Sequence, residues 1–368
     1  MTIAASIALY PFVSLLLAAF HLIDNDHHMI RRFRLFKLLA LMPLLASCTE
    51  EIGLDVAPEW KVGSIMAWEE SLPDMLLLSR DEKQLFVSCE TVQNMLSPSL
   101  ARIDLERGSK EILIYGLARA DGLKMDSKGD IWLGEETEDG LIIRVTSPES
   151  LPAEQRFDRD RLVGSHPDIT PVLSAGRFSH EGLAFSQDGR YLYLADEWIE
   201  GCLYRFEISS GQLQVFHSSK GWLKINTPVD SRFKAEVLHG RLFQRLEDME
   251  TMPDGRIAMA ETGSKASQGR IWILDDRGES PQITVYLESP EIFHPDNLEW
   301  DHKRNWLWIT DDHSPSKLWA YDGSKLHNIA SHSSAEITGV ESSRDGTIYL
   351  NLQHRFIGPD LTLKLMNQ

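Results

Sequence analysis

A hairpin-like pattern recurs six times along this chain, and that repetition restricts the fold more than any other feature. Each copy opens with an acid or a threonine, alternates through a short strand, turns at a polar or glycine site, and enters an apolar strand ending in polar groups. The copies are Asp74–Glu90, Asp121–Glu136, Glu181–Glu197, Glu247–Thr262, Asp296–Asp312 and Thr338–His354. Their starts lie 47, 60, 66, 49 and 42 residues apart. The turns read SKGD, QDGR, PDGR and RDGT, with the Asp/Gly chemistry of tight hairpins. Most copies are followed by two further strand-like runs, such as Cys202–Ile208 with Gln212–His217.

Four short strands per repeat, six repeats and almost no helical periodicity predict an all-β, six-bladed β-propeller. A β-sandwich would not explain the sixfold self-similarity. The two longest spacings carry insertions, Pro148–Thr170 and Lys220–His239, expected as loops or short helices on one face. Little chain follows the sixth copy. A strand near Val62–Trp68 is therefore expected to complete the last blade and close the ring. Trp132, Tyr193, Trp308 and Tyr349 lie inside second strands and are expected to form core between blades.

In a propeller the first strand of every blade lines the central channel. The opening residues Asp74, Asp121, Glu181, Glu247, Asp296 and Thr338 should therefore converge on one channel mouth. The second strands return to the same rim with Cys89/Glu90, Glu135/Glu136, Asp196/Glu197, Glu261/Thr262, Asp311/Asp312 and Gln353/His354. So many like charges cannot stay ionised together without cations. Calcium, which takes six to eight oxygen ligands, is the counter-ion expected. Arg245 lies two residues before Glu247 and could clamp an anionic substrate beside a cation. His180, next to Glu181, reads first as a structural histidine and second as a base or ligand.

The whole chain has 368 residues and a net charge of −18. No Lys/Arg cluster exists beyond the first 40 residues, which argues against nucleic acid as a partner. The bases near the start belong to a different signal. Arg31, Arg32, Arg34 and Lys37 precede a short apolar run and then Leu45-Ala46-Ser47-Cys48. That order resembles the lipobox of bacterial lipoproteins and implies acylation of Cys48. The expected organisation is an upstream start or extra apolar segment at 1–28, a signal peptide at 29–47, a tether at 48–61 and the propeller at 62–368. Removing residues 1–47 takes away four bases and two acids and brings the charge to −20. An exported, lipid-anchored protein on the periplasmic side is expected. Thr49 rather than Asp follows the cysteine, which leans toward the outer membrane, and a monomer is expected.

Several motifs resemble the PhoX family of secreted alkaline phosphatases. Gly176–Glu181 (GRFSHE), followed by YLADEWIEGCLYRF, is similar to that family's HE…YLTED…YRF block. Arg245-Leu246-Glu247 resembles its RPE, and Pro295-Asp296-Asn297 its PDN. Thr338-Gly339 with Asn351–His354 resembles its TG…NxQHP ending, and Trp132–Glu136 (WLGEE) its WxTCEE. The similarity spans about residues 115–355. It implies a six-bladed propeller with an iron and calcium cluster that hydrolyses phosphate esters. The implied metal ligands are Glu136, Glu181, Glu197, Glu247, Asp296 and Asp312, with Arg245 holding phosphate beside Glu247. Gly134 stands where the family has its iron-binding cysteine, so the iron (Fe3+) half of the implication weakens. Cys89, in the preceding blade, is a candidate replacement thiolate.

Three functions follow as expectations. The first is a metal-dependent phosphoesterase-like hydrolase acting on a small anionic substrate. The second is a calcium-dependent lactonase or esterase of the gluconolactonase type, whose acid/Asn ring Asn297 would fit. The third is a non-catalytic propeller that uses calcium only for stability.

Overall fold

The computed structural model describes residues 52–368, apart from residues 70, 92–95 and 265–266. Cys48 and the boundaries at 28 and 47 lie outside the described residues. The rest forms six sheets arranged as a β-propeller, antiparallel except where Gln155–Asp158 pairs parallel with Ser109–Tyr115. The innermost strands are Pro73–Leu78, Ala120–Met125, His180–Phe185, Leu246–Thr251, Pro295–Asp301 and Glu336–Ser342. Each contacts the innermost strand of the next blade, and the sixth contacts the first, so they surround one axis. We number the blades 1 to 6 in that order.

The ring closes as the sequence suggests. Trp60–Trp68 pairs along its length with Asp360–Asn367 in blade 6. One expectation is corrected at this junction. The tether assigned to 48–61 contains a strand, Leu54–Val56, that pairs with Leu326–His332 at the outer edge of blade 5. The first insertion is also corrected. Gln155–Asp158 and Val163–Gly164 extend blade 1, and Ile169–Pro171 is the outer strand of blade 2. The second insertion holds a strand, Gly221–Ile225, and a helix of about two turns, Ser231–Val237.

The core lies between adjacent blades and not within them, because each twisted sheet is apolar on both faces. Trp132 packs in the cluster joining blades 2 and 3, and Tyr193 in the one joining blades 3 and 4. Trp308 of blade 5 meets Trp60 of blade 6 edge-on, with ring centroids 5.6 Å apart. Each such large side chain, buried, contributes about 1.5–3 kcal/mol.

Every innermost strand also breaks register once, at its start. The breaks fall at Pro73/Leu76, Ala120/Leu123, His180/Leu183, Leu246/Met249, Pro295/Leu298 and Thr338/Val340. In blades 1 to 5 the break encloses the acid that opens the repeat, and in blade 6 it encloses Gly339, one residue after Thr338. A bulge adds a residue to one strand and re-aims the side chain there. Here it happens six times at one level of the channel. At that level the backbones nearly touch. A Cβ on Gly122 would overlap the carbonyl oxygen of Glu181, and one on Gly182 that of Glu247.

Because the obstacle at Gly182 is backbone, it cannot rotate away. Gly182→Ala is expected to destabilise the fold by about 1–3 kcal/mol. A lowered denaturant midpoint at unchanged slope is the measurement that checks it.

Candidate functional site

The six bulges gather the acids into one cavity at the channel mouth. It is lined by Asp74, Glu90, Asp121, Glu136, Glu181, Glu247, Asp296, Asp312 and Glu336, together with Arg119, Arg245 and Thr262. Two carboxylate triads have oxygen atoms all within 4.8 Å of one another: Asp121–Glu136–Glu181 and Glu181–Glu247–Asp296. Glu181 belongs to both. Four of the six ligand candidates from the sequence, Glu136, Glu181, Glu247 and Asp296, fall in these triads. Asp312 lines the same cavity outside them. Glu197 is held by Arg245, whose Nη2 lies 2.6 Å from its Oε1.

The paired rim acids divide into two sets. At Glu90, Glu136, Thr262 and Asp312 the second member of the pair lines the mouth, and its backbone N–H donates to the loop two residues before the opening acid. Glu136 donates to Arg119, Thr262 to Arg245 and Asp312 to His294. In three blades the first of the pair grips that same loop, whereas Asp196 is held by Arg232. Glu135 accepts from Ala118 N–H at 2.8 Å, Glu261 from Gln244 N–H at 2.8 Å, and Asp311 from His294 N–H at 2.9 Å. These buried carboxylates are structural. They fix the residues that carry the mouth's side chains.

Two of those residues are arginines in matching positions. Arg119 and Arg245 each lie two residues before an opening acid, and both adopt the left-handed conformation, with φ of 46° and 60°. A non-glycine residue in that region stores strain, and such strain clusters at functional sites. Arg119 pairs with Glu90 and Glu136, and Arg245 with Glu197 and Glu247. Arg119 is absent from the sequence assignment, although its Arg-x-Asp spacing mirrors Arg245-x-Glu247. Asp121 was legible as an opening acid. Glu336 was not, because it precedes the repeat's own start.

Burial is the main cause of the site's unusual acidities, reinforced by neighbouring carboxylates. It pushes Asp74 up to about 7, Glu336 to about 9 and Glu136 to about 10. Glu247 rises to about 8 even though Arg245 opposes the shift. Asp121, Glu181 and Asp296 lie well above the ordinary carboxylate range. Glu181 Oε2 is buried without a hydrogen-bond partner, and Glu247 Oε1 meets only Arg245, at 3.1 Å and without hydrogen-bond alignment. Buried oxygens of this kind are what a hard cation would occupy, so the donor set fits calcium.

Other candidates lie elsewhere. His180 is fully buried, packs against Phe178 with ring centroids 3.9 Å apart and planes tilted by 39°, and is pushed down to about 3 by that burial. It is not at the mouth. Cys89 is corrected as a replacement thiolate. Pro73 pairs with Cys89 as Ala120 pairs with Glu135, so Cys89 matches Glu135 and not Gly134. Its thiol is buried and pushed up to about 12. Asn297 does not present its oxygen to the cavity. Its Oδ1 accepts Gly339 N–H at 2.6 Å and the Thr310 hydroxyl at 3.1 Å. Elsewhere on the inner strands, part-buried Lys124 bridges Glu250 at 2.8 Å and Asp248 at 3.8 Å.

No family model matches the chain, and no curated protein matches it in sequence. The phosphatase resemblance therefore stands on its motifs alone. Solved structures do match. A gluconolactonase from Xanthomonas campestris is 13% identical, with a TM-score of 0.53 over 84% of this chain and 90% of its own. A putative gluconolactonase is 10% identical, with a TM-score of 0.54 over 88% and 97%. A PQQ-bound aldose sugar dehydrogenase from Streptomyces coelicolor is 13% identical, with a TM-score of 0.52 over 84% and 99%. At such identities the likeness establishes a shared propeller fold.

Two outcomes are expected. Cation binding needs ionised carboxylates, and these are raised above their ordinary values. Calcium should therefore release protons on binding, and its affinity should rise with pH. Titration in weak buffer at two pH values measures both effects. Gly134→Cys should lower thermal stability without creating an iron site, because a Cβ there would lie 2.5 Å from the His180 carbonyl oxygen. Melting curves and metal analysis of that variant check this.

Proposed function

We propose that the protein is a cation-dependent hydrolase of esters or lactones whose substrate sits at the channel mouth. The observation that carries this reading is Glu181, shared by two buried carboxylate triads and holding an oxygen without a partner. The fold neighbours named as gluconolactonases support ester or lactone chemistry. Asp121, Glu136, Glu181, Glu247 and Asp296 would hold the cation. A bound calcium ion would act as a Lewis acid, polarising the bond to be cleaved and lowering the pKa of water.

The chain's own residues set the rest. Arg119 and Arg245 stand on the rim, both half-exposed, and can orient an anionic group of the substrate. Glu90 and Glu197 hold the two guanidiniums in place. Buried Glu135 and Glu261 fix the loops on which the arginines ride. The inner carboxylates are buried, so the mouth keeps bulk water at the rim.

A second reading, a phosphomonoesterase, is favoured by the arginine pair. Two guanidiniums suit the several oxygens of a phosphate better than a neutral lactone. Lactones, carboxylic esters, phosphomonoesters and phosphodiesters, each assayed with calcium alone and with calcium plus iron, separate the two. Cleavage of lactones or carboxylic esters supports the first reading, and cleavage of phosphomonoesters alone supports the second. No cleavage under any condition would leave a calcium-stabilised, non-catalytic propeller. Arg245→Ala should raise KM or lower kcat with bound calcium unchanged. Glu247→Ala should lose calcium as well, because it removes a ligand.

A further inference from the structure

The two faces of the propeller differ in a way the hydrolase reading does not use. On the face away from the mouth, the turns joining first to second strands are polar. They include Ser186–Arg190 and Pro253–Arg256. Among the described residues, none of these turns carries an exposed large apolar side chain. The mouth face is different. Trp198 is 52% exposed, Phe233 59% and Phe356 89%, and Val237, Leu242 and Ile357 are exposed as well.

Their places are fixed by their neighbours. Trp198 sits in the turn that follows Asp196 and Glu197. Phe233 and Val237 lie one turn apart on the Ser231–Val237 helix, which Arg232 ties to Asp196 at 2.6 and 2.8 Å. Leu242 pairs with Cys202 on the strand that begins beside Trp198. Phe356 and Ile357 follow Gln353, whose amide lies 3.4 Å from the Asp74 carboxylate. Bases flank these apolar side chains in the sequence: Arg232 and Lys234 around Phe233, Arg241 before Leu242, and Arg355 before Phe356. Exposed apolar groups edged by bases are the composition of a surface that lies in a bilayer interface.

The N-terminal entry point supports the same face. Leu54 pairs with His332, which pairs with Ser316, and the Ser316 hydroxyl donates to the Asp311 carbonyl at the mouth end of blade 5. Cys48 is six positions before Leu54. Whatever path the intervening residues take, they span at most about 20 Å. An acyl chain on Cys48 would hold the mouth end of blade 5 within that distance of the bilayer.

We infer that the mouth-bearing face of the propeller lies against a lipid bilayer, with Trp198, the Phe233 helix and the Phe356 loop in its interface. The site then opens toward the membrane, and substrate reaches it along or from the lipid surface. This inference rests on acylation of Cys48 and not on the hydrolase reading.

The test uses the full-length protein, matured in a bacterial host and reconstituted in vesicles of phosphatidylcholine, with and without phosphatidylglycerol. A fluorophore is attached to Phe233→Cys, Phe356→Cys or, on the opposite face, Gly278→Cys. Cys89 and Cys202 are buried, with thiols pushed up to about 12, and should not react. A nitroxide-bearing lipid should quench the first two labels at least threefold more than the third. The double variant Phe233→Ser/Phe356→Ser should remove that difference for a label at Trp198→Cys while melting at the unaltered temperature. Equal quenching at all three positions would overturn the inference. So would shielding of positions 233 and 356 in detergent without lipid, which would mean a second copy covers this face. Mass spectrometry of the mature N-terminus reads the anchor separately, and an unmodified Cys48 would also overturn it. Failure of the hydrolase assays would leave the quenching result intact.

Discussion

The structure depends on holding nine carboxylates and two guanidiniums around one end of a narrow channel. Two full charges 4.8 Å apart repel by about 3–4 kcal/mol at the effective dielectric of a protein surface. A triad contains three such pairs, so its full ionisation opposes folding by about 10 kcal/mol. That is comparable to the whole stability of an ordinary domain. The mouth can therefore exist only with protons shared among its acids, or with cations bound between them. The pKa values of Asp121, Glu181 and Asp296, raised well above the ordinary carboxylate range by burial, are the first solution, and the oxygen without a partner on Glu181 makes room for the second.

The rest of the blade architecture serves that arrangement. Five bulges turn the opening acids inward, and the glycines beside two of them let neighbouring backbones approach until the acids meet. Glu135, Glu261 and Asp311 resemble the mouth acids in the sequence but do opposite work. Each spends at least one oxygen on an N–H group of the loop that carries Arg119, Arg245 or His294, and the other oxygen of each is satisfied too. These carboxylates are satisfied where those of the mouth are not, and that contrast separates scaffold from site. The arginines gain fixed positions in left-handed backbone from the same grip.

The asymmetry of the two faces adds a direction to this centre. Polar turns close one end of the propeller, while aromatic and aliphatic side chains edged by bases surround the other.

The sixfold pattern was enough to determine the architecture, because a repeat that cannot bury its own sheet must stack on copies of itself. It also pointed to the opening acids of the first five channel strands, and to a strand near Val62–Trp68 that closes the ring, observed as Trp60–Trp68. It could not say which member of each rim pair faces the mouth. Glu135 and Glu136 are adjacent and chemically alike, and only the strand's alternation against its neighbours sends one to a loop and the other to the cavity. Nor could it place Cys89 opposite Pro73, match Arg119 to Arg245, or bring Glu336 beside Asp312 from the sixth blade. The repeat is a local property that each segment carries by itself. The site is a meeting of six segments at one level, and their registers are fixed only when the ring closes.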